Sequence, residues 1–206
     1  MSHFPLYKPH PWHGINIGEK APEQVIAYIE MVPTDTVKYE IDKTTGYRKV
    51  DRPQKFSNYA PALYGFIPQT YCGDNIAAYA KQKYKSVISK GDGDPLDICV
   101  ITERIITSGD ILLEAIPIGG FRMIDKEEAD DKIIAVLKQD EIYGKLKDIS
   151  ECPVSIVNRL KHYFLTYKNI PGEETLNKVE IASIYGQKEA MEVIKCSMQD
   201  YKELIK

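Results

Sequence analysis

Alternation of apolar and polar positions organises the first two thirds of the chain. Residues 24–32, from Gln24 to Val32, read as a strand. Thr36-Val37-Lys38-Tyr39-Glu40-Ile41 alternates with period two and leads through Asp42-Lys43-Thr44-Thr45-Gly46 into Tyr47-Arg48-Lys49-Val50. Alternating runs around a short polar loop closed by glycine predict a β-hairpin. Further strands are expected at 97–102, at 111–118 and from Lys132 to Leu137. The last third changes period: Val154, Val157, Leu160, Phe164 and Leu165 recur at helical spacing, as do Ala190, Val193, Ile194, Ser197, Tyr201 and Leu204. Strands first and helices later predict an α+β domain, a small twisted barrel with helices packed outside. Residues 73–90 read as an irregular polar insertion containing Lys81, Lys83 and Lys85.

The same alternation sorts side chains by face. In the first hairpin strand Val37, Tyr39 and Ile41 face one way, and Lys38, Glu40 and Asp42 the other. In the second strand Arg48, Val50 and Arg52 share a face. Were Arg52 to lie near Lys38 and Glu40, one surface would carry cations and carboxylates together. Pattern alone leaves this open against an ordinary solvated sheet face with weak cross-strand ion pairs.

The densest chemistry is Gly91-Asp92-Gly93-Asp94-Pro95-Leu96-Asp97, followed at once by the apolar run Ile98-Cys99-Val100-Ile101. Three carboxylates on a turn repel one another, and ordered structure keeps such a cluster mainly around a cation. All-oxygen ligands point to a hard ion such as Mg²⁺. The spacing is not that of a calcium-binding EF-hand, because the fifth and sixth positions are Leu96 and Asp97. A second acidic run, Asp125-Lys126-Glu127-Glu128-Ala129-Asp130-Asp131-Lys132, sits between two expected strands. By itself it reads as a solvated loop; beside the first cluster it would complete a multi-metal site. Tyr163-Phe164-Leu165-Thr166-Tyr167-Lys168 ends a helix, where Tyr167 and Lys168 serve either packing or phosphate binding. His10 and His13 lack neighbours that would complete a ligand set, and Cys99 lies in a core run.

Composition narrows the classes. The chain has 206 residues, 43% hydrophobic, enough for one domain with a real core. A net charge of -3 argues against a nonspecific nucleic-acid binder. No apolar stretch approaches the roughly 18 residues of a membrane span, and the first residues lack the order of a signal peptide. Four scattered cysteines, Cys72, Cys99, Cys152 and Cys196, without a CxxC pair, fit a reduced cytoplasmic protein. Fourteen tyrosines against five phenylalanines favour a polar site lined by hydroxyl-bearing rings.

Taken in order, these segments resemble the soluble family I inorganic pyrophosphatases. The likeness runs through Ile29-Glu30-Met31-Val32-Pro33, then Val37-Lys38-Tyr39-Glu40-Ile41-Asp42-Lys43 with Val50-Asp51-Arg52. It continues through Tyr64-Gly65-Phe66-Ile67-Pro68-Gln69-Thr70 and the signature Asp92-Gly93-Asp94-Pro95-Leu96-Asp97. It closes with Met123-Ile124-Asp125, Asp130-Asp131-Lys132, His162-Tyr163-Phe164 and Tyr167-Lys168, covering roughly residues 25–170. The resemblance implies a five-stranded OB-like β-barrel with peripheral C-terminal helices, in a single pyrophosphatase domain spanning 1–206. It implies hydrolysis of pyrophosphate to two phosphates with several Mg²⁺ ions per site, Mn²⁺ or Zn²⁺ being able to substitute. A cytoplasmic homo-oligomer, by resemblance a hexamer, is expected, with no nucleic-acid or membrane partner.

By motif position, Asp92, Asp97, Asp130, Asp125 and Glu30 resemble the metal-binding set. Lys38, Arg52, Tyr64, Lys132, Tyr167 and Lys168 resemble the phosphate-holding set, supported by Glu40 and Asp42. Asp94 resembles the carboxylate that orients or deprotonates the attacking water. Three departures stand out. Ala60 occupies a position where the family usually has tyrosine, with Tyr59 one residue away. Lys126 stands where an acid is common. The 73–90 insertion is longer than in compact bacterial forms. Two other classes remain open: an OB-like module binding oligonucleotides or oligosaccharides, and a structural metal-binding protein.

Overall fold

The structure is a computed structural model describing residues 7–84, 88–168 and 179–206. Its elements run β1 (Val25–Met31), β2 (Val37–Ile41), β3 (Arg48–Pro53), β4 (Leu63–Phe66), α1 (Asp74–Lys83), β5 (Lys90–Gly91) and β6 (Asp97–Ile101). They continue with β7 (Ile111–Asp125), β8 (Glu128–Ala129), β9 (Lys132–Leu137), a short 3-10 turn, α2 (Val154–Thr166), β10 (Val179–Gly186) and α3 (Gln187–Leu204). Pairings β1–β4, β4–β6, β6–β9, β9–β7 and β7–β1 close a ring of five strands, as the OB-like expectation requires. The β2–β3 hairpin forms as expected, as a sheet of its own.

The central strands are apolar throughout because both of their faces are covered. Ile98, Val100, Ile133 and Ala135 enter one core cluster with α1 and α3. The alternate residues Cys99, Ile101, Ile134 and Val136 join Ile156, Leu160 and Phe164 of α2. A strand buried on both sides reads as a continuous apolar run. The buried stripe of α2 is rotated from the one expected: Ile156, Leu160, Tyr163 and Phe164 are buried, whereas Val154 and Leu165 are exposed. In α3 the expected stripe holds from Ala190 to Tyr201, and Leu204 is exposed.

Several elements depart from the sequence expectation: β4, a member of the ring, and the short strands β5 and β8 are not among the expected strands, and three further departures have a visible cause. The 73–90 segment holds a helix, α1, rather than irregular chain; Lys85 lies outside the described residues. The apolar face of α1 is only Ile76, Ala77 and Ala80, and its first turn is capped from a distance. The buried Asp200 carboxylate of α3 accepts bonds from the backbone N–H groups of Gly73 (2.9 Å), Asn75 (2.8 Å) and Ile76 (3.0 Å). Strand β7 continues past 118 through Gly119 and Gly120. A Cβ at Gly120 would lie 2.4 Å from the Tyr185 ring, so glycine permits the close crossing of β10. β10, absent from the sequence reading, pairs with β7 and carries a register shift between Ile181 and Ser183.

Asp200→Ala removes three charge-assisted caps from α1 at once. The expected loss is about 2 kcal/mol of folding free energy, read from the urea midpoint, whereas a midpoint within error of wild type would contradict the capping role.

Candidate active site

The site forms where the ring meets the hairpin. β6 and β9 run parallel with Asp97 paired to Lys132, so sheet register alone places a carboxylate beside an ammonium. Lys132, buried, contacts both Asp97 and Asp130. Burial works against its charge, but Asp130 and Asp97 outweigh burial and hold its pKa well above the ordinary value. Tyr64 on β4 donates its hydroxyl to Asp97 at 2.6 Å. Tyr64 is thereby engaged with a carboxylate here, as well as facing the cleft.

The signature turn is pinned at several points. Cys72 N donates to Asp94 O at 2.8 Å and Gly93 N to Cys72 O at 3.1 Å. A Cβ on Gly91 would fall 2.2 Å from Cys72 O, and Gly93 has a left-handed φ of 78°, so both positions need glycine. Asp94 N donates to Asp92 Oδ1 at 3.0 Å, turning Asp92 and Asp94 into the same cleft. Asp92 and Asp130 lie side by side. Burial and the Asp130 charge raise the Asp92 pKa well above the usual carboxylate value. Burial likewise raises Asp130, against the opposing pull of Lys132.

The second acidic run is not a bare solvated loop. Lys126 and Glu127, with φ of 52° and 66°, form a tight turn between β7 and β8 that pairs Asp125 with Glu128. Lys168, beyond α2, reaches Asp125 at 2.5 Å. Glu30 is delivered by a register shift in β1 between Ile29 and Met31, which re-aims its side chain toward the hairpin. Its Oε1 accepts from Ile41 N at 2.7 Å. Burial pushes its pKa up to about 8, with the Ile41 bond opposing.

The hairpin corrects one face assignment. The register shifts so that Lys38 pairs with Arg52 while Tyr39 pairs with Val50. Arg52 therefore joins Lys38 and Glu40 instead of sharing a face with Val50 and Arg48. The Arg48 guanidinium lies over the Tyr39 ring on the other side, 4.5 Å from its centre.

These elements enclose a cleft of about 280 Å³. Asp92, Asp94, Asp97, Asp125, Asp130 and Glu30 all line it. So do Lys38, Arg52, Tyr64, Lys132, Tyr167 and Lys168, together with Glu40. Asp42 is not among the lining residues; its carboxylate accepts from Thr45 N at 2.9 Å and Thr45 Oγ1 at 2.8 Å and shapes the hairpin loop. Tyr59 is exposed and also outside the lining, and Ala60 is buried in the core. Two lining groups escaped the sequence reading. Lys43 contacts Asp94, and Glu128 pairs with Lys90 at 3.0 Å. Lys43 directly follows the alternating strand and Glu128 lies in the acidic run, so position offered a signal for both. Asp51, between Lys38 (2.8 Å) and Arg52, was a further omission.

Eight carboxylates face five basic groups in this cleft. As they stand, no three acidic, histidine or cysteine side chains among the described residues converge on a point that could hold an ion. The donor chemistry nevertheless suits a hard divalent cation. Negative charge is in surplus, the lining acids are all oxygen donors, and the buried Asp125 Oδ1 has no hydrogen-bond partner among the described residues.

The family model for inorganic pyrophosphatase matches residues 27–202. An inorganic pyrophosphatase from Chlamydia trachomatis serovar D is 54% identical over 205 residues, covering 98% of this chain and 98% of the relative. Soluble inorganic pyrophosphatase 1 of Arabidopsis thaliana is 36% identical over 196 residues, covering 95% of this chain and 82% of the relative. The crystal structure of inorganic pyrophosphatase from Thermus thermophilus is similar with a TM-score of 0.76 at 28% identity, covering 95% of this chain and 99% of that one. Ring topology, cleft and relatives agree: the chain belongs to the family I inorganic pyrophosphatases, hydrolases that split pyrophosphate into phosphate.

Proposed function

We propose that pyrophosphate is hydrolysed in this cleft by direct attack of water, with Asp94 as the carboxylate that orients and deprotonates it. The supporting observation is the lining itself: carboxylates, cations and two tyrosine hydroxyls in one pocket, with no serine, threonine or cysteine among its described lining residues. A polyanionic substrate needs the cations, and the lack of a hydroxyl or thiol nucleophile favours water over a phosphoenzyme. Asp94 is half exposed, which leaves its carboxylate open to water. Its partner Lys43 also faces the cleft, so an arriving phosphate can take that ammonium and free Asp94 to act as a base.

Asp92, Asp97, Asp125 and Asp130, with Glu30 beside them, would hold Mg²⁺, several ions per site, with Mn²⁺ or Zn²⁺ able to substitute. Bound Mg²⁺ supplies a Lewis acid that acidifies water and screens the phosphoryl oxygens. As the water oxygen bonds to one phosphorus, the bond from that phosphorus to the bridging oxygen breaks. The proton passes to Asp94, and the electron pair remains on the departing phosphate. Lys38, Arg52, Lys132 and Lys168 hold phosphate oxygens and offset the charge that develops. Tyr64 and Tyr167 add neutral donors. Glu40 keeps Lys38 in place at 3.2 Å.

The chain is read as one pyrophosphatase domain across 1–206, since ring and helices share common core clusters. Among the described residues no helix is long and apolar enough to cross a membrane. A cytoplasmic homo-oligomer, hexameric by resemblance, is proposed with it; exposed Ile105, Val154 and Ile184 offer apolar surface for subunit contact. Binding of oligonucleotides is disfavoured by the negative surplus of the cleft.

Chelation should stop phosphate release, and added Mg²⁺ should restore it; turnover that survives exhaustive chelation would remove the metal from the reaction. Asp97→Ala is expected to lose tight metal binding and more than about 99.9% of activity, measured by calorimetry and phosphate release on protein with native circular dichroism. Near-normal rates in that variant would displace Asp97 from the metal set. Asp94→Asn is expected to lower kcat by about 10²–10⁴-fold with metal affinity nearly unchanged. A variant that instead loses metal binding would reassign Asp94 as a ligand.

A further inference from the structure

Among the described residues Arg122 is the largest side chain buried almost completely, and the reaction does not use it. It is 1% exposed, lying in the apolar run Phe121-Arg122-Met123 of β7. Its guanidinium sits between the rings of Tyr79 from α1 and Tyr185 from β10, 5.3 Å and 5.2 Å from their centres. Nη1 donates to Glu189 Oε1 of α3 at 2.9 Å, and Nε faces Asp131 Oδ1 at 3.5 Å. Asp131 is buried as well. It directly follows Asp130, whose carboxylate meets Lys132 and lies against Asp92.

Burying a guanidinium and a carboxylate is costly unless each is compensated. Here the compensation joins the acidic loop to parts of the chain distant in sequence. Asp131 points away from the cleft toward Arg122, so its neighbour Asp130 faces the cleft. Asp130 N donates to Met123 O at 3.0 Å, adjacent to Arg122, which fixes the same loop through its backbone. Among the described residues, Nε and Nη2 of Arg122 have no hydrogen-bond partner, and neither has Asp131 Oδ1. The Arg122–Asp131 contact therefore works by charge in a buried setting, while Nη1 ties the guanidinium to Glu189 by a directional bond.

We propose that Arg122 is a positioning residue for the metal-binding loop: through Asp131 it fixes Asp130, so that α3 and α1 set the cleft's affinity for divalent metal. This rests on the metal reading of the cleft given above. Arg122 touches neither substrate nor metal, and its loss should act on metal affinity with little effect on how pyrophosphate binds once metal is saturating.

The test is calorimetric titration of Mg²⁺ into substrate-free protein, together with steady-state phosphate release at low and saturating Mg²⁺. Arg122→Met should weaken Mg²⁺ binding about 10- to 100-fold, and Arg122→Lys should recover part of it. KM for pyrophosphate at saturating Mg²⁺ should stay within about twofold, a split that general loosening of the fold would not produce. Should Arg122→Met fail to fold around an unpaired Asp131, Arg122→Met/Asp131→Asn removes both buried charges, and the same loss of affinity is expected. Folded variants with wild-type Mg²⁺ affinity would overturn the proposal alone. Wild-type protein that binds no Mg²⁺ would overturn the reading of the cleft, and this proposal with it.

Discussion

The cleft depends on one arrangement, the Lys132 ammonium held between the carboxylates of Asp97 and Asp130. Each member would be costly to bury alone, and removing one partner of such a set typically costs about 3–5 kcal/mol. The arrangement follows from sheet register. Parallel pairing of β6 with β9 fixes Asp97 opposite Lys132, and antiparallel pairing of β4 with β6 brings Tyr64 within reach of Asp97. A shift by one residue would turn these side chains to the other face. The apolar residues that follow Asp97 and Lys132, buried on both faces of the sheet, hold that register.

The rest of the cleft repeats the same pairing with looser members. Lys43 meets Asp94, Lys168 meets Asp125, and Lys38 with Arg52 meets Asp51. These pairs are partly solvated, so each contributes little to stability. Their weakness suits the proposed chemistry. A phosphate group can take the cations, and a divalent ion the carboxylates, without breaking a strong contact. The pairing also limits repulsion among eight acids in one small cleft, two of which, Asp92 and Asp130, burial already pushes above the usual carboxylate pKa, with the charges of Asp130 and Asp97 adding to it.

Much of this was legible in the chain because the signals are local. Alternation marked the hairpin, and glycine and proline among aspartates marked the signature turn. Apolar runs marked the central strands. The elements that were not legible take their cause from distant residues. α1 presents mostly alanine to the core and is capped by Asp200 from the far end of the chain. The Gly119–Gly120 pair reads as a strand break until Tyr185 is seen to pack against it. The register shift in β10 interrupts its alternation, and the one in β3 moved Arg52 to the face of Lys38. Glu30 and Arg122 did leave a trace, as single charged residues inside apolar strand runs. Such a residue has to be compensated by something the local sequence does not show.

Glu30 meets the hairpin and Arg122 meets the helices, and the two charges constrain the cleft differently. Glu30, displaced by the irregularity in β1, is buried against the hairpin with one backbone bond, and its raised pKa reflects a carboxyl group that burial favours in the neutral form. Arg122 is a permanent cation under the same conditions, so it cannot relieve its burial by losing a proton. It must instead be met by carboxylates, and Asp131 and Glu189 are drawn inward to meet it. The consequence for Asp130 is geometric. With its neighbour committed to the interior, the loop has little freedom to rotate Asp130 out of the cleft. Of the charges that shape the cleft, the one at the hairpin can thus titrate, and the one beneath the acidic loop cannot.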